Sequence, residues 1–279
     1  MTGEGAALEA AARGWPLVRR FHHCPSVPST QDEVRRLVAA PGAPDQGAGL
    51  LLVADAQTAG RGRLGRNWHS PAGAGLWLSL SLAPRRPRAE WPFVTALAAL
   101  AGREALAGSA GLDSGIKWPN DLLVRGRKIA GVLAESATGG PLVLGVGVNL
   151  LQRRADFPAE LRETATSIAI EVAQAALAIE VPAAAPSPLP SRAALLASWL
   201  GAFAARYALF ESGGPAAHLE ELRSASLLMG RSVEIAAPWR EGETDPAAPG
   251  VSLRGRVVGF GPVGELVLDV KDRGTGTAA

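Results

Sequence analysis

The sequence predicts an α+β fold in which a mixed, mainly antiparallel sheet with flanking helices is followed by a small β unit. Strand-like segments follow one another up to residue 150 with only two helical segments among them. The regular strand–helix alternation of a parallel sheet is therefore missing. Helical patterns fill much of 163–228, and glycine-punctuated β patterns resume after Arg231. A chain of 279 residues, 47% of them hydrophobic, can bury such a core.

The first part of the chain is predicted to form strands interrupted by two helices. Thr30 and Glu33 fit a capping box for the first helix, whose apolar stripe begins at Val34. The second helix is apolar and alanine-rich and spans 92–106. The predicted strands are 17–21, 50–54, 76–82, 116–119 and 142–150, together with a hairpin of 122–124 and 128–135 around an Arg125-Gly126 turn.

The second part changes from helices to strands. The predicted helices are 163–178, 191–210 and 215–228, and the predicted strands are 232–235, 251–260 and 265–270. An Ala/Pro-rich stretch over 181–190 is interpreted as a solvent-exposed linker. We expect a flexible N-terminus over 1–14, a main domain over 15–229, a small domain over 230–271 and a disordered tail over 272–279.

The most informative segment is the loop from Gly60 to Ser70, which reads GRGRLGRNWHS. Its glycines let the backbone approach a ligand closely, and its arginines offer planar donor groups suited to carboxylate and phosphate. The segment also matches the dinucleotide pattern G-x-G-x-x-G, but that pattern requires a following helix, and Pro71 and Gly73 oppose one. The plain alternative is a basic surface loop.

A second group of polar residues lies around Pro119, in the run KWPNDLL. Proline restricts the residue before it to extended conformations, so Asn120 and Asp121 should project from a rigid bend. Lys128 begins an otherwise apolar strand nearby and is able to point into a site. An ordinary turn and a solvated lysine are the alternatives. The strand GVGVNL that ends near Asn149 has little side-chain volume, which is typical of close ligand approach or of a bulge.

Composition excludes several classes of function. The net charge of +2 provides no general basic field for nucleic acid, and the single cysteine, Cys24, excludes an internal disulfide framework. The four histidines show no metal-ligand spacing, so we expect no zinc site. The N-terminus does not resemble a secretory signal, and no run approaches the length of a membrane helix. We expect a cytoplasmic protein without membrane or DNA partners.

Four ordered blocks together resemble the biotin–protein ligases. They are Ser29-Thr30-Gln31, Gln57 with GRGRLGRNW, KWPNDLL followed by GRKIAGVLAE, and GVGVNL. The resemblance runs from about Pro25 to Asn149 and continues more weakly into the C-terminal β region. It implies a catalytic domain followed by an SH3-like barrel. It also implies ATP-dependent ligation of biotin to a lysine of a biotin carboxyl carrier domain through biotinyl-5′-adenylate.

The resemblance also implies roles for individual residues. The residues that it implies for binding biotin are Ser29, Thr30, Gln31, Gln57, Arg61, Gly62, Arg63 and Lys128. Lys128, Arg61 and Arg63 are the implied catalytic residues. The residues that it implies for binding the nucleotide are Arg63, Arg66, Trp68, Lys117, Asn120, Asp121 and Asn149. Mg²⁺ is expected to enter with ATP rather than as a tightly bound metal, with Asp121 orienting either Mg²⁺ or Lys128. Gln31 stands where asparagine is commoner, so capping of the helix is an alternative role for its side chain.

The resemblance leaves two other functions to consider. Lipoate–protein ligases and octanoyl transferases share the fold and form a similar acyl-lysine bond. The blocks GRGRLGRNW and KWPNDLL nevertheless favour biotin as the substrate. A biotin-responsive repressor would need a DNA-binding domain, and the roughly twenty-five residues before Ser26 leave no room for the winged helix of bifunctional members. We therefore expect the monofunctional type and leave homodimer formation open.

Overall fold

A seven-stranded sheet forms the centre of the computed structural model, which describes residues 3–40, 42, 47–136, 140–178, 189–235 and 253–270. The strand order is β1-β2-β3-β7-β6-β5-β4, with β1 and β2 parallel and every other neighbouring pair antiparallel. This arrangement confirms the mixed, mainly antiparallel sheet. The strands are β1 (Arg20–Val27), β2 (Leu50–Gln57), β3 (Gly75–Leu82), β4 (Gly115–Lys117), β5 (Asp121–Val124), β6 (Arg127–Ser136) and β7 (Leu142–Asn149).

Six α-helices are present in the described ranges, and the sheet packs against several of them. They are α1 (Gly3–Ala12), α2 (Thr30–Val38), α3 (Val94–Ala110), α4 (Ile168–Ala178), α5 (Arg192–Gly213) and α6 (Leu219–Ala225). One large apolar cluster joins β2, β3, β6 and β7 to α3 and α5. A smaller cluster around Val34 joins α2 to the other face of β2, which carries Leu50 and Leu52.

The N-terminal segment differs from the flexible chain expected over 1–14. Gly3–Ala12 form α1, and the Leu8 side chain is fully buried in the main core. Arg192 of α5 also forms an ion pair with Glu4 at 3.1 Å. Alanine-rich segments favour helix, and burial of Leu8 supplies the tertiary contact that a short isolated helix lacks.

Two predicted helix starts lie at other residues. Ser29, not Thr30, caps α2, because its hydroxyl accepts a hydrogen bond from the backbone N–H of Asp32, and Glu33 pairs with Arg36 instead. The helix predicted from 163 begins only at Ile168. The preceding Thr164 and Thr166 use their backbone groups to pair with Lys128, so they are not free to start a helix.

Helix α5 meets the length and composition of a membrane-spanning segment, although no such run was expected from the sequence. Its buried residues include Trp199, Phe203 and Phe210, which pack in the main core, and Trp199 stacks on Phe203. These contacts are those of a core helix in a globular domain.

The C-terminal strands form a separate antiparallel sheet in the order β10-β9-β8. They are β8 (Ser232–Ile235), β9 (Leu253–Phe260) and β10 (Leu266–Asp269). The Trp118 indole N–H donates to the Gly264 carbonyl at 2.9 Å and links this sheet to the bend at Pro119. Three predicted segments lie outside the described residues: the remainder of the barrel, residues 181–188 of the linker and the tail over 272–279. Closure of the barrel therefore stays a prediction.

Candidate active site

A buried network of hydroxyl and amide groups surrounds the start of α2. The Gln57 side-chain oxygen accepts from the Thr30 backbone N–H at 2.9 Å and from the Thr30 hydroxyl at 3.1 Å. The Gln57 amide donates to Ser70 at 2.8 Å, and Ser79 donates to Thr30 at 2.8 Å. The structure therefore places Ser29, Thr30 and Gln57 side by side, and their contact with biotin stays a prediction. Ser70 and Ser79 were missed, although a serine inside the apolar β3 strand was a usable signal.

Gln31 connects α2 to the central strands instead of capping the helix. Its amide donates to the Leu133 carbonyl of β6 at 2.6 Å. The same amide lies over Gly145 of β7, where an added Cβ would be only 2.7 Å from Nε2. Capping by Gln31 is therefore wrong, because the side chain crosses the small-residue surface of β7.

The loop from Gly60 to Ser70 folds back on itself. The Gly62 N–H donates to the Arg66 carbonyl at 2.7 Å, and the Trp68 N–H donates to the Gly60 carbonyl at 2.8 Å. Leu64, at φ 57°, forms the exposed tip. The next regular element is β3 rather than a helix, so the structure provides no helix N-terminus for a dinucleotide at this loop.

The three loop arginines have different environments. Both terminal nitrogens of Arg61 donate to the Asp32 carboxylate, at 2.6 and 2.5 Å. This hydrogen bonding raises the pKa of Arg61 further above its already high ordinary value. The exposed Arg63 and Arg66 have no ion-pair partner among the described residues. Two guanidinium groups of the loop thus remain free to bind an anion.

Trp68 lies on a pair of opposed glycines in the central sheet. Gly131 of β6 and Gly147 of β7 are register partners. A Cβ added at Gly147 would be 2.5 Å from the Trp68 indole nitrogen, and one at Gly131 would be 3.2 Å from the ring. Trp77 packs edge-on against the ring at a centroid distance of 6.3 Å. The Trp68 Nε1–H is buried and has no hydrogen-bond partner within the described chain.

Lys128 lies beside both Trp68 and Asp121. Its ammonium nitrogen is 2.7 Å from Asp121 Oδ1 and 5.0 Å from the centroid of the Trp68 ring. Its backbone N–H donates to the Thr164 carbonyl at 2.8 Å, and its carbonyl accepts from the Thr166 N–H at 2.9 Å. The lysine therefore lies in the site and is not simply a solvated hairpin residue. No sequence pattern indicated the backbone pairing of Lys128 with Thr164 and Thr166.

The other predicted nucleotide residues occupy distinct positions. Lys117 is exposed and is the register partner of Asp121 on the adjacent strand. The Asn120 amide donates to the Val132 carbonyl at 2.8 Å, which fixes the bend onto β6. Asn149 is buried: its amide donates to the Thr166 carbonyl at 2.9 Å and its oxygen accepts from Gln152 at 3.0 Å. A nucleotide contact by Asn149 stays a prediction.

Within the described residues, no three His, Cys, Asp or Glu side chains gather as a set of metal ligands. Asp121 instead faces the Lys128 ammonium group. Asp121 was expected to orient either Mg²⁺ or Lys128, and in this structure it contacts Lys128.

The segment that carries these residues is similar to known proteins. The Biotin/lipoate A/B protein ligase family matches residues 25–149. A 124-residue segment is 46% identical to the bifunctional ligase/repressor BirA of Bacillus spizizenii and covers 43% of this chain and 38% of that protein. A segment of the same length is 41% identical to the biotin–[acetyl-CoA-carboxylase] ligase of Mycobacterium tuberculosis and covers 45% of it. The matched segment thus spans less than half of these relatives.

Solved structures extend the similarity of fold over most of the chain. A mutant biotin protein ligase from Aquifex aeolicus in complex with biotin has a TM-score of 0.69 at 24% identity, covering 91% of this chain and 93% of that one. The Aquifex aeolicus enzyme in complex with biotin and ATP has a TM-score of 0.67 at 25% identity, covering 90% and 97%. The fold is therefore that of biotin protein ligases.

Proposed function

We propose that the chain joins biotin to a lysine of a biotin carboxyl carrier domain at the expense of ATP, because residues 25–149 match the Biotin/lipoate A/B protein ligase family. The observation that carries the proposal is that all four sequence blocks meet on one side of the sheet. Thr30 contacts Gln57, and Trp68 of the loop contacts both Lys128 and Gly147. Segments far apart in sequence thus form one site.

The polar network at α2 suits the ring system of biotin. Its ureido group carries both donors and acceptors, and Ser29, Thr30 and Gln57 offer both kinds of partner. Thr30 and Gln57 are already hydrogen-bonded to each other, and Ser29 accepts from the Asp32 N–H, so a bound ureido group would exchange for these partners. The glycines of β7 let the Gln31 amide and the Trp68 ring lie directly against the strand beside this network.

The charged residues suit formation of an acyl-adenylate. In the proposed first step, a biotin carboxylate oxygen attacks the α-phosphorus of ATP and pyrophosphate leaves. Lys128 stabilises the negative charge that develops between the carboxylate and the α-phosphate, while Arg61, Arg63 and Arg66 bind the anionic groups. Trp68, Lys117, Asn120, Asp121 and Asn149 are the proposed nucleotide contacts, and Mg²⁺ enters with ATP.

The second step transfers the biotinyl group. The neutral amine of the acceptor lysine attacks the anhydride carbonyl carbon, AMP leaves, and an amide forms. The relatives named biotin–[acetyl-CoA-carboxylase] ligases, from Mycobacterium tuberculosis and Paracoccus denitrificans, support a carboxylase carrier domain as acceptor. We place the enzyme in the cytoplasm, without DNA or membrane partners; homodimer formation stays open.

The purified chain, biotin, MgATP and a biotinyl carrier domain test this proposal. We expect the carrier mass to increase by one biotinyl group, and a carrier with its target lysine replaced by arginine should stay unmodified. Omitting ATP should abolish the reaction. Lipoate and octanoate replace biotin in parallel reactions. Modification with either of these but not with biotin would assign the chain to the related lipoate-type activity.

A further inference from the structure

The loop arginine Arg61 already holds a carboxylate, that of Asp32 on α2. One terminal nitrogen of Arg61 donates to Oδ2 at 2.6 Å and the other donates to Oδ1 at 2.5 Å. This two-point pairing is the geometry that a guanidinium adopts with a ligand carboxylate or phosphate. Asp32 thus occupies the donors that Arg61 would offer to the substrates of the proposed reaction.

Asp32 is itself held in place by a chain of charges. Arg35 of the same helix donates to Asp32 Oδ1 at 2.9 Å, and it also forms an ion pair with Glu135 of β6. The order Arg61–Asp32–Arg35–Glu135 alternates in sign from the loop to the central sheet. The Asp32 carboxylate is consequently fixed relative to the sheet, whereas Arg61 belongs to the loop.

The Arg61–Asp32 pair distinguishes Arg61 from the other loop arginines. Arg63 and Arg66 have no ion-pair partner in the described part of the chain, and most other polar contacts of the loop are made within it. The pair is also open to solvent, with side-chain exposures of 39% for Arg61 and 44% for Asp32. Exposed pairs are weak because water screens them, so a bound anion is able to replace Asp32.

We propose that Asp32 is a positioning residue whose carboxylate holds Arg61, and with it the loop, in the ligand-free chain and releases Arg61 to the anionic group of the bound substrate. This inference rests on the proposed function for the identity of that substrate. The restraint of the free loop by Asp32 rests on the observed contact alone.

Limited trypsin digestion tests the proposal, because Arg61, Arg63 and Arg66 are cleavage sites within the loop. Asp32→Asn keeps the shape of the side chain and removes its charge. In the absence of ligand, we expect cleavage at these three arginines to be several-fold faster in D32N than in the unmodified chain. With saturating biotin and MgATP, the two proteins should be cut equally slowly. Fragment masses identify the bonds that are cut.

Two variants serve as controls. Glu33→Gln removes the neighbouring charge on α2, whose partner is Arg36 on the exposed side, and should leave loop cleavage unchanged. Asp32→Glu retains a carboxylate and should restore slow cleavage. Far-UV circular dichroism verifies that each variant is folded.

The outcomes separate this inference from the proposed function. Equal cleavage of D32N and the unmodified chain without ligand would show that Asp32 does not restrain the loop. Faster cleavage of D32N that persists with biotin and MgATP would show that Arg61 stays on Asp32 in the complex, which overturns the exchange. If biotin and MgATP neither protect the unmodified chain nor yield pyrophosphate, the proposed function fails, while the ligand-free comparison still tests the restraint.

Discussion

The Lys128 ammonium nitrogen lies 2.7 Å from Asp121 Oδ1, and the two residues approach from adjacent antiparallel strands. Their side chains are 34% and 25% exposed, so the pair faces an opening and is not part of the apolar core. Hydrogen bonds from Thr166 and to Thr164 fix the Lys128 backbone on its other side. The lysine is thus positioned by the backbone and oriented by a carboxylate, while its charge remains accessible to a ligand.

Replacing Lys128 with alanine should impair adenylate formation without unfolding the chain. In the proposed reaction Lys128 acts on charge in the transition state, and loss of one such group costs about 10²–10³-fold in kcat. We expect pyrophosphate release to fall by that factor and the melting temperature to change little. Arg153→Ala, which removes an exposed cation that is not among the proposed binding residues, is the control. Pyrophosphate release near the unmodified rate in K128A would exclude the catalytic role.

The features of the fold that could be predicted are those that depend on local sequence patterns and on the succession of strands along the chain. Apolar runs located most strands of the sheet, although β1 lies at Arg20–Val27 and not at the predicted 17–21. The Arg125-Gly126 turn was recognisable because it separates two apolar runs, and both of its residues adopt positive φ in the structure. The α2 cap was placed one residue late, since both Ser29 and Thr30 are suitable caps and only the tertiary contacts of Thr30 decide between them. The helix expected in 163–178 was too long because pairing of Thr166 with Lys128 is a long-range contact.

The candidate site was predictable where residues fall within recognisable blocks and not where a partner is distant. Gln57, Trp68 and Lys128 were identified from their blocks, and the structure places them in one region. Asp32 was overlooked because its partner, Arg61, is twenty-nine residues away and an acidic residue in a first helical turn is unremarkable. The opposition of Gly131 and Gly147 depends on strand register, which the sequence alone does not define.

Acid should destabilise the contact between α5 and α6 through Glu221. Hydrogen bonds from His218 and from Arg206, acting against partial burial, lower the pKa of Glu221 from its ordinary value near 4.5 to about 2. A lowered carboxyl pKa adds stability that is complete above pH 4.5 and is lost as the pH falls toward 2. Because the side chain is 38% exposed, we expect only about 1 kcal/mol at neutral pH.

The variant that tests this is Glu221→Gln. It should lower the melting temperature by about 2–4 °C at pH 7, and the difference from the unmodified chain should shrink between pH 4.5 and 2. Glu220→Gln removes the adjacent exposed carboxylate and should have little effect at either pH. A Glu221→Gln deficit that stays constant across this pH range would contradict the titration.

Trp118 should couple the C-terminal sheet to the bend that carries Asp121. Trp118→Phe keeps an aromatic ring and removes the N–H that donates to Gly264. Loss of this hydrogen bond should cost about 1 kcal/mol in the free energy of unfolding, measured in urea. We also expect slower pyrophosphate release, because Asn120 and Asp121 follow directly in the chain.

The matched control is Trp91→Phe, which removes an indole hydrogen bond of the same 2.9 Å length to the nearby Arg86 carbonyl. It should lose similar stability and keep its rate of pyrophosphate release. If both variants lose activity equally, the Trp118 contact has no special connection with the site.

The opposed glycines of β6 and β7 should determine whether Trp68 can lie on the sheet. In Gly147→Ala, the new methyl carbon would be 2.5 Å from the indole nitrogen and 2.6 Å from the adjoining ring carbon. The ring has little room to move, because Trp77 packs against its edge and Gly131 lies beneath it. Overpacking of this kind costs about 1–3 kcal/mol. The displaced Trp68 should therefore weaken packing of the loop on the sheet, and we expect KM for biotin to rise about tenfold, since 1.4 kcal/mol corresponds to that factor. Trypsin should also cut the loop faster with biotin and MgATP present.

The control is Gly108→Ala, which lies on the exposed face of α3 and has no atom within 4 Å of the added Cβ. It should leave KM for biotin and cleavage of the loop unchanged. An unchanged KM and unchanged cleavage in Gly147→Ala would show that the position of Trp68 on the glycine pair is not required for binding.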